Sequence, residues 1–355
     1  MPSEPFIRSG DEAVIGAKVM KVAFVLNPSC LFNNVFSGVV VQANCWALGL
    51  RALGHEVVFP AAQEPIDWNA FDIVHLFQHG PWCLGLLHGL KVARPRVFYS
   101  PIIDPPKPYG RLAGLISRLP LEKLRLAQNQ RLLRLYGGLC DRMLARSGHE
   151  ADSLCAIGVP AGRIATVHIP MSKPWDIDDA AVATHPRNGA VLHVSHLNQP
   201  RKNARALIEL SVSKGFPLRL AGSVSDPGFR SWLDQVQKDH PNVTYLGRIS
   251  DGEMLDEMLS CAVFCLPSLY EGVGLVALDA GYCGANLVVT DRGGTPEYLR
   301  ACSIQIDPSE PSALGSAIAR ALQLPVPNLA ARRHVIDNFS IPASARSLAA
   351  AYDAA

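Results

Sequence analysis

The chain has 355 residues, of which 48% are hydrophobic and 18% charged, and its formal net charge at pH 7 is +2. This composition excludes a disordered or fibrous protein, and so small a net charge gives no argument for a nucleic-acid partner. The length predicts roughly two domains.

The N-terminal stretch MPSEPFIRSGDEAVIGAK has acidic residues ahead of any apolar run, which is not the pattern of a signal peptide. We therefore expect an N-terminal extension over residues 1–19. No run of about 18 apolar residues follows it, so the sequence predicts no transmembrane helix. The nine cysteines have no regular spacing and indicate a reducing, cytoplasmic setting. Cys261 and Cys265, in the apolar run CAVFC, are expected to pack in the core rather than bind a metal.

Short apolar runs rich in Val and Ile then alternate with longer amphipathic segments, which is typical of parallel strands covered by helices on both faces. The pattern occurs twice and predicts an α/β protein with two Rossmann-like domains. In the first domain, residues 20–172, the predicted strands are 21–27, 55–61, 72–78, 96–101, 142–147 and 164–170. In the second domain, residues 189–335, they are 191–197, 218–224, 243–248, 262–268, 286–291 and 303–307.

The stretch PMSKPWDIDDAAVATHPRNGA between the domains is polar, contains three prolines and has no helical or strand periodicity. We place the linker there, at residues 173–188. Residues 336–355 are predicted to form a C-terminal helix that packs back on the first domain. Open α/β sheets bind ligands at the carboxyl ends of their strands. The functional site is therefore expected in loops that follow strands, in a cleft between the two sheets.

The stretch PSLYEGVGLVALDAGYCG places two carboxylates, Glu271 and Asp279, where a predicted strand turns into a helix. Gly272 and Gly274 remove side chains at the helix N-terminus, so an anionic group could approach free backbone N–H groups there. Eight helical residues correspond to a rise of about 12 Å and a rotation of about 80°. Glycosidase carboxyl pairs lie only about 5 to 9.5 Å apart. The pair is therefore better suited to bracketing an elongated ligand such as a nucleotide sugar.

A second charged motif follows the predicted strand VLHVSHL, where Arg201 and Lys202 open an amphipathic helix. Cations at a helix N-terminus oppose the helix dipole, and a bound diphosphate would explain their presence. A solvated charged turn would explain them as well. Likewise, a Glu at a helix start and an Asp on an exposed helix face are common without any function.

EGVGLVALD together with HLNQPRKN resembles the donor-site signature of the family 4-like retaining glycosyltransferases with the GT-B fold. KVAFVLN, FDIVHLF, the segment 142–170 and DRGGTPEYL resemble further parts of that family. The resemblance implies a first domain that binds the acceptor and a second that binds the nucleotide-sugar donor, facing each other across a cleft. It also implies transfer with retention, no cofactor and no metal, with the nucleotide diphosphate sugar as co-substrate.

By this resemblance, Glu271 would hold donor-sugar hydroxyls and shape the charge around the anomeric carbon, and Asp279 would bind the ribose. Lys202, with Arg201, would neutralise the diphosphate leaving group. The remaining residues assigned to donor binding are Gly272, Val273, Gly274 and Leu275 at the β-phosphate and sugar, Arg248 in the turn bordering the base, and Gly38 in the N-terminal glycine loop.

The sequence departs from the family pattern at three places. Asp279 stands where the family usually has Glu, and Ser195-His196 stands where it usually has Gly-Arg, which makes His196 the donor-binding candidate there. VFYSPIIDPP lacks the His-Asp often found on the matching loop of the first domain. His75 is then a candidate acceptor-side residue, although a His within FDIVHLF is also typical of core packing, as is His193.

The functional hypothesis is a transferase that moves a hexose from a nucleotide diphosphate sugar to a glycan or lipid-linked acceptor in polysaccharide or glycoconjugate biosynthesis. A catalytically silent GT-B protein that binds nucleotide sugar, or acts as a partner subunit, is the alternative. A related epimerase or phosphorylase fits the motifs less well.

Between Lys107 and Arg146 the sequence has nine cationic residues and only two acidic ones, Glu122 and Asp141. This composition predicts basic amphipathic helices, broken at Pro120, that bind an anionic membrane surface. A solvated helical pair packed on the sheet is the alternative for this segment.

Overall fold

A computed structural model describes residues 18–32, 38–61, 64–107, 109–116, 118 and 128–355 of the chain. Residues 1–17 of the predicted N-terminal extension lie outside the described residues. The chain divides into two compact units, the first formed by Met1–Asp176 with Phe339–Ala355 and the second by Ile177–Asn338.

The first unit contains a six-stranded parallel sheet in the order β2-β1-β3-β4-β5-β6. Its strands are β1 Lys21–Leu26, β2 Glu56–Val58, β3 Ile73–Phe77, β4 Arg96–Ser100, β5 Arg142–Ala145 and β6 Ile164–Thr166. Its helices are α1 Ser29–Phe32, α2 Gly38–Ala52, α3 Leu84–Leu90, α4 Arg111–Ile116, α5 Gln128–Leu139 and α6 Gly148–Ala156. All five residues of β3 are buried, as expected for a central strand with both faces covered.

The C-terminal segment also belongs to the first unit. After Ser340 caps it, helix α15 Ile341–Asp353 packs along α2. The indole Nε1 of buried Trp46 donates to Ser344 Oγ over 2.8 Å, and Gly49 lets Ala345 approach the backbone of α2 closely. The predicted return of the C-terminal helix to the first domain is therefore observed.

The second unit contains another six-stranded parallel sheet, in the order β12-β11-β10-β7-β8-β9. Its strands are β7 Val191–Val194, β8 Leu218–Ala221, β9 Val243–Gly247, β10 Val263–Leu266, β11 Asn286–Thr290 and β12 Ser303–Ile306. Its helices are α7 Asp179–Thr184, α8 Ala204–Lys214, α9 Pro227–Asp239, α10 Asp251–Ser260, α11 Leu275–Tyr282, α12 Thr295–Leu299, α13 Pro311–Leu322 and α14 Leu329–Phe339. The neighbouring strands β10 and β7 precede the loops that carry the charged motifs, and parallel strands place their carboxyl ends at one edge of the sheet.

The two predicted Rossmann-like sheets are confirmed, with all twelve strands present. All twelve strands end earlier than predicted at their carboxyl ends; β6, for example, ends at Thr166 rather than at residue 170. The segment taken as an irregular linker contains helix α7, whose N-cap Asp178 accepts from the backbone N–H of Ala181 over 2.7 Å. Among the described residues, no helix has the length and apolar character to cross a membrane.

Candidate functional site

Glu271 lies five residues after β10 and is almost fully buried, with 6% of its surface exposed. Its carboxylate accepts three hydrogen bonds. Oε2 lies 2.7 Å from Nη1 of Arg201, and Oε1 lies 2.6 Å from both Nζ of Lys202 and Oγ of Ser268. The two charged motifs found separately in the sequence therefore form one cluster at the carboxyl edge of the second sheet.

The backbone of Glu271 is fixed by the loop that follows β11. Its N–H donates to the carbonyl of Arg292 over 3.3 Å, and the N–H of Gly294 donates to its carbonyl over 3.0 Å. Gly293 has φ +84°, and a Cβ at this position would overlap the carbonyl oxygen of Glu271. Only glycine allows both the left-handed backbone and this close approach.

Arg201 and Lys202 lie in a short 3₁₀ turn, Pro200–Lys202, which ends at Asn203 with φ +54° before α8 begins. The carbonyl of Arg201 accepts from the backbone N–H of Leu269 over 2.8 Å, and Asn203 Nδ2 donates to the carbonyl of Pro267 over 3.2 Å. These bonds join the turn directly to the loop that carries Glu271.

The expectation that Arg201 and Lys202 open the helix is therefore wrong, because the 3₁₀ turn precedes it. For the same reason both side chains reach Glu271, whereas adjacent residues of an α-helix would diverge by about 100°. Nη1 of Arg201 also donates to the carbonyl of Tyr270 over 2.9 Å, and its guanidinium lies 5.4 Å from the centroid of that ring.

The charges of this cluster do not cancel, because two cations face one carboxylate and leave an excess of one positive charge. Burial by itself would raise the pKa of the Glu271 carboxyl, but the Lys202 ammonium and the Arg201 guanidinium hold that pKa below its ordinary value. Glu271 is therefore ionised at neutral pH. A ligand that brings further negative charge, such as a diphosphate, would complete the balance.

Helix α11 begins directly beside this cluster. Its N-cap is Gly274, with φ +86° and no capping side chain, so the first N–H groups of the helix have no side-chain acceptor at the cap. Gly272 and Leu275 are half-buried, and Val273 is buried. Asp279 lies inside the helix with 2% of its surface exposed. Asp279 is therefore not a carboxylate on an exposed helix face, which was the alternative without a function.

His193 is a buried core residue, as the sequence predicted. Its Nδ1 lies 2.8 Å from the carbonyl of Cys265 and its Nε2 lies 2.7 Å from Oγ of Ser195. Because a carbonyl can only accept, Nδ1 carries the hydrogen and the Ser195 hydroxyl donates to Nε2. Burial lowers the pKa of His193 to about 4, so the ring is neutral near pH 7.

His196 is half-buried between serines that follow β8. Its Nδ1 lies 2.9 Å from Oγ of Ser223 and its Nε2 lies 3.0 Å from Oγ of Ser225. Asn198 supports the second serine, because its Oδ1 accepts from the backbone N–H of Ser225 over 2.8 Å. Hydroxyls can donate or accept, so each serine can partner its ring nitrogen whether that nitrogen donates or accepts.

The remaining predicted site residues lie elsewhere. Arg248 is exposed and follows Gly247, whose carbonyl accepts from the N–H of Gly222 over 2.8 Å at the end of β8. Gly38 belongs to the first unit, where it is exposed at the start of α2, and no atom of the described residues lies within 4 Å of the position that a Cβ would take. Among the described residues, no group of three or more His, Cys, Asp or Glu side chains could hold a metal ion.

The structure contradicts His75 as an acceptor-side residue. The ring is fully buried, stacks on Phe77 with centroids 4.2 Å apart, and bonds through Nδ1 to the hydroxyl of Tyr352 and through Nε2 to Oγ of Ser100, over 2.7 and 2.8 Å. Burial lowers its pKa to about 3. His75 therefore joins the C-terminal helix to the central strands, which is the packing role weighed as the alternative.

Three residues that shape the cluster were not predicted as site residues from the sequence: Ser268, Gly293 and Gly294. The Gly-Gly pair, which begins three residues after the end of β11, could have been recognised from the sequence, because consecutive glycines near the end of a strand indicate close backbone approach. Ser268 had no comparable signal, since a serine two residues beyond a strand is ordinary loop composition.

The second unit is similar in sequence to known glycosyltransferases. Residues 187–338 match the family model described as glycosyl transferases group 1. O-antigen chain mannosyltransferase B of Escherichia coli is 28% identical over 142 residues, which are 38% of this chain and 37% of that protein. MMP alpha-(1->4)-mannosyltransferase of Mycolicibacterium hassiacum is 31% identical over 114 residues, 30% of this chain and 28% of that protein. The chain thus matches only about a third of the length of these curated relatives.

Solved structures match over nearly the whole chain. Anabaena HepE in complex with UDP has a TM-score of 0.69 at 16% identity, covering 95% of this chain and 100% of that one. Sucrose-phosphate synthase from Thermosynechococcus elongatus has a TM-score of 0.68 at 16% identity, covering 94% and 98%. Identities this low show the fold alone. Together with the family match, they confirm the predicted resemblance to glycosyltransferases of the GT-B fold.

Proposed function

We propose that this chain, which has the GT-B fold and a second unit matching the glycosyl transferases group 1, is a retaining and metal-independent glycosyltransferase. It moves a hexose from a nucleoside diphosphate sugar to a glycan or lipid-linked acceptor. The observation that carries the proposal is the cluster of Arg201, Lys202 and Glu271 beside the N-terminus of α11. The six curated relatives are all mannosyltransferases, so mannose is the first sugar to test.

The two cations retain donors for a diphosphate. An ammonium has three N–H donors and a guanidinium has five. Lys202 uses one on Glu271, and both bonds of Arg201 leave from Nη1. Within the described residues, the other donors of both side chains have no protein partner, and together with the first N–H groups of α11 they suit phosphate oxygens. Neutralising the charge that develops on the departing diphosphate favours its departure.

Glu271 supplies the negative charge of the site. Departure of the diphosphate leaves positive charge around the anomeric carbon, and a fixed carboxylate in a buried site stabilises such charge more strongly than water does. In the proposed reaction the leaving phosphate accepts the proton of the acceptor hydroxyl on the face from which it departs. That step needs no protein nucleophile and no metal ion, and retention of configuration follows from it.

The acceptor is proposed to be reached at an anionic membrane surface, and this part rests on the basic segment from Lys107 to Arg146. Residues 108, 117 and 119–127, including Pro120, lie outside the described residues. On α4, Leu112 and Leu115 are 69% and 58% exposed, as a membrane-facing helix requires. Arg146 adds no surface charge, because it is buried in ion pairs with Asp104 and Glu150 at 2.7 and 3.0 Å.

The alternative is a protein of this fold that binds the donor without transferring the sugar. It is favoured by Asp279, which is one methylene shorter than glutamate and has little exposed surface. Calorimetric titration with GDP-mannose and UDP-glucose, followed by measurement of nucleoside diphosphate release from the tighter ligand, separates the two. Binding with release supports the transferase, and binding without release, whatever acceptor is added, supports the alternative. If neither nucleotide sugar binds, both the transferase proposal and the alternative are contradicted.

A further inference from the structure

Two neighbouring central strands of the first unit end in unusual backbone conformations. After β3, Gln78 has φ +70° and Gly80 has φ +150°, and after β4, Ile102 has φ +54°. Positive φ is uncommon outside glycine and is an outlier for a β-branched residue such as Ile102. Such strain persists only where the surroundings enforce it, and it concentrates at ligand-binding sites.

Buried groups hold the turn Gln78–Gly80 in place. The backbone N–H groups of Gln78 and His79 donate to the carbonyls of Ser100 and Pro101 over 2.9 and 2.8 Å, which joins the ends of β3 and β4. The carbonyl of Gly80 accepts from the hydroxyl of buried Tyr136 over 2.7 Å. The carbonyl of Gln78 accepts from Trp82 Nε1 over 3.2 Å and from Tyr99 over 3.3 Å. The turn is therefore pre-organised.

The imidazole of His79 is half-buried in this turn and is oriented by a single bond. Its Nδ1 lies 3.2 Å from the carbonyl of Pro101. Because a carbonyl can only accept, Nδ1 carries the hydrogen, and in the neutral form of the ring Nε2 presents a lone pair. No residue in the described part of the chain bonds to that Nε2. His75 and His193, in contrast, have both ring nitrogens engaged.

The neighbouring Gln78 side chain is oriented so that its amide nitrogen is available as a hydrogen-bond donor. Its Oε1 accepts from the thiol of Cys30 over 2.6 Å, and its amide Nε2 has no protein partner within the described residues. The turn thus offers one acceptor, Nε2 of His79, and one donor, Nε2 of Gln78. A sugar hydroxyl can satisfy either group, since it both donates and accepts.

We infer that His79 is a carbohydrate-binding residue of the first unit, whose Nε2 accepts a hydrogen bond from a hydroxyl of the acceptor sugar at the carboxyl end of β3. The inference rests on the proposed function, because it identifies the acceptor as a carbohydrate. An oriented hydrogen-bond acceptor on a rigid turn at this edge of a parallel sheet fits a polyol. Trp82, whose indole bonds to the turn, is only half-buried.

The test uses the full chain with ¹⁵N-labelled histidine and methyl α-D-mannopyranoside as the probe. Adding the mannoside should shift the Nε2 resonance of His79, assigned by its loss in His79→Gln, and leave those of His75 and His193 unchanged. His79→Ala should weaken mannoside binding about fivefold, the factor that corresponds to one hydrogen bond of about 1 kcal/mol. His88→Ala, which alters an exposed histidine of α3 in the same unit, should bind as the wild type does.

Two results overturn the inference: no shift of the His79 resonance at saturating mannoside, or a folded His79→Ala variant that binds mannoside as tightly as His88→Ala does. The titration of the unaltered chain decides the question even if His79→Ala fails to fold. GDP binding measured on the same samples separates this inference from the proposed function. A mannoside-induced shift without GDP binding would reject the donor site and leave His79 as a sugar-binding residue.

Discussion

Nζ of Lys202 lies 2.6 Å from Oε1 of Glu271, 69 residues away in the sequence. Neither residue is fully exposed, since 17% of the Lys202 side chain and 6% of the Glu271 side chain are accessible. The cation that is proposed to bind the donor diphosphate is thus already paired with the carboxylate that is proposed to act on the donor sugar. Binding and transfer should therefore respond differently when either residue is altered.

Lys202→Ala should weaken binding of a nucleoside diphosphate about 10- to 150-fold, because a charge-assisted hydrogen bond contributes about 1.5 to 3 kcal/mol. Binding of the corresponding nucleoside should change little, since it has no phosphate. Calorimetry with GDP and guanosine measures both. Lys214→Ala, which alters an exposed lysine at the end of α8, is the matched control. Equal losses for GDP and guanosine would remove Lys202 from the diphosphate site.

Gly293→Ala should lower the free energy of unfolding by more than about 2 kcal/mol. The new Cβ would overlap the carbonyl oxygen of Glu271, and alanine would also have to adopt φ +84°. Gly252→Ala, in α10, meets no atom within 4 Å and should stabilise the protein by up to about 1 kcal/mol. Urea denaturation of both variants checks this. A Gly293→Ala variant as stable as the wild type would show that the loop after β11 does not fix Glu271.

His75 should make the protein less stable as the pH falls. Its pKa is lowered to about 3 in the folded state and is about 6.5 in an unfolded chain. The unfolded state therefore binds the proton more readily, so the stability due to the neutral ring is complete above pH 6.5 and is lost as the pH falls toward 3. The loss amounts to about 1.4 kcal/mol per pH unit.

His75→Gln keeps a polar side chain but removes this titration. The variant should be less stable than the wild type at pH 7, because the ring stacks on Phe77 and bonds to Tyr352. Its unfolding free energy should fall less steeply between pH 6.5 and 4, as measured by urea denaturation. Identical slopes for the two proteins would mean that His75 titrates normally in the fold.

The protein should sediment with vesicles of anionic lipid and not with neutral ones, and salt should release it, because each cation near an anionic surface contributes about 1 kcal/mol that ions screen. Replacing Leu112 and Leu115 together by Ser should reduce this binding. Leu324→Ser removes an exposed leucine of the second unit and should leave it unchanged. If vesicle binding depends neither on lipid charge nor on salt, the segment from Lys107 to Arg146 does not bind membranes electrostatically.

The sequence predicted all twelve strands because short apolar runs alternate with longer amphipathic segments, and this alternation can be recognised without knowledge of tertiary contacts. It also identified Glu271, Lys202 and Arg201 through their positions after strands. It did not show that both cations reach one carboxylate, since that depends on the 3₁₀ turn and on the positive φ of Asn203. Nor could it decide between core and site for His75, because its partner Tyr352 lies 277 residues further along the chain.

The most direct measurement of the central claim compares Glu271→Gln with the exposed control Glu310→Gln in GDP binding and in GDP release from GDP-mannose. The amide keeps the shape of the side chain and removes its charge, which leaves Arg201 and Lys202 free to face the diphosphate. We therefore expect the variant to bind GDP at least as tightly as the wild type, while GDP release falls at least about tenfold, a loss of about 1.4 kcal/mol of transition-state stabilisation. A folded Glu271→Gln variant that releases GDP at the rate of the wild type would contradict the role assigned to this carboxylate.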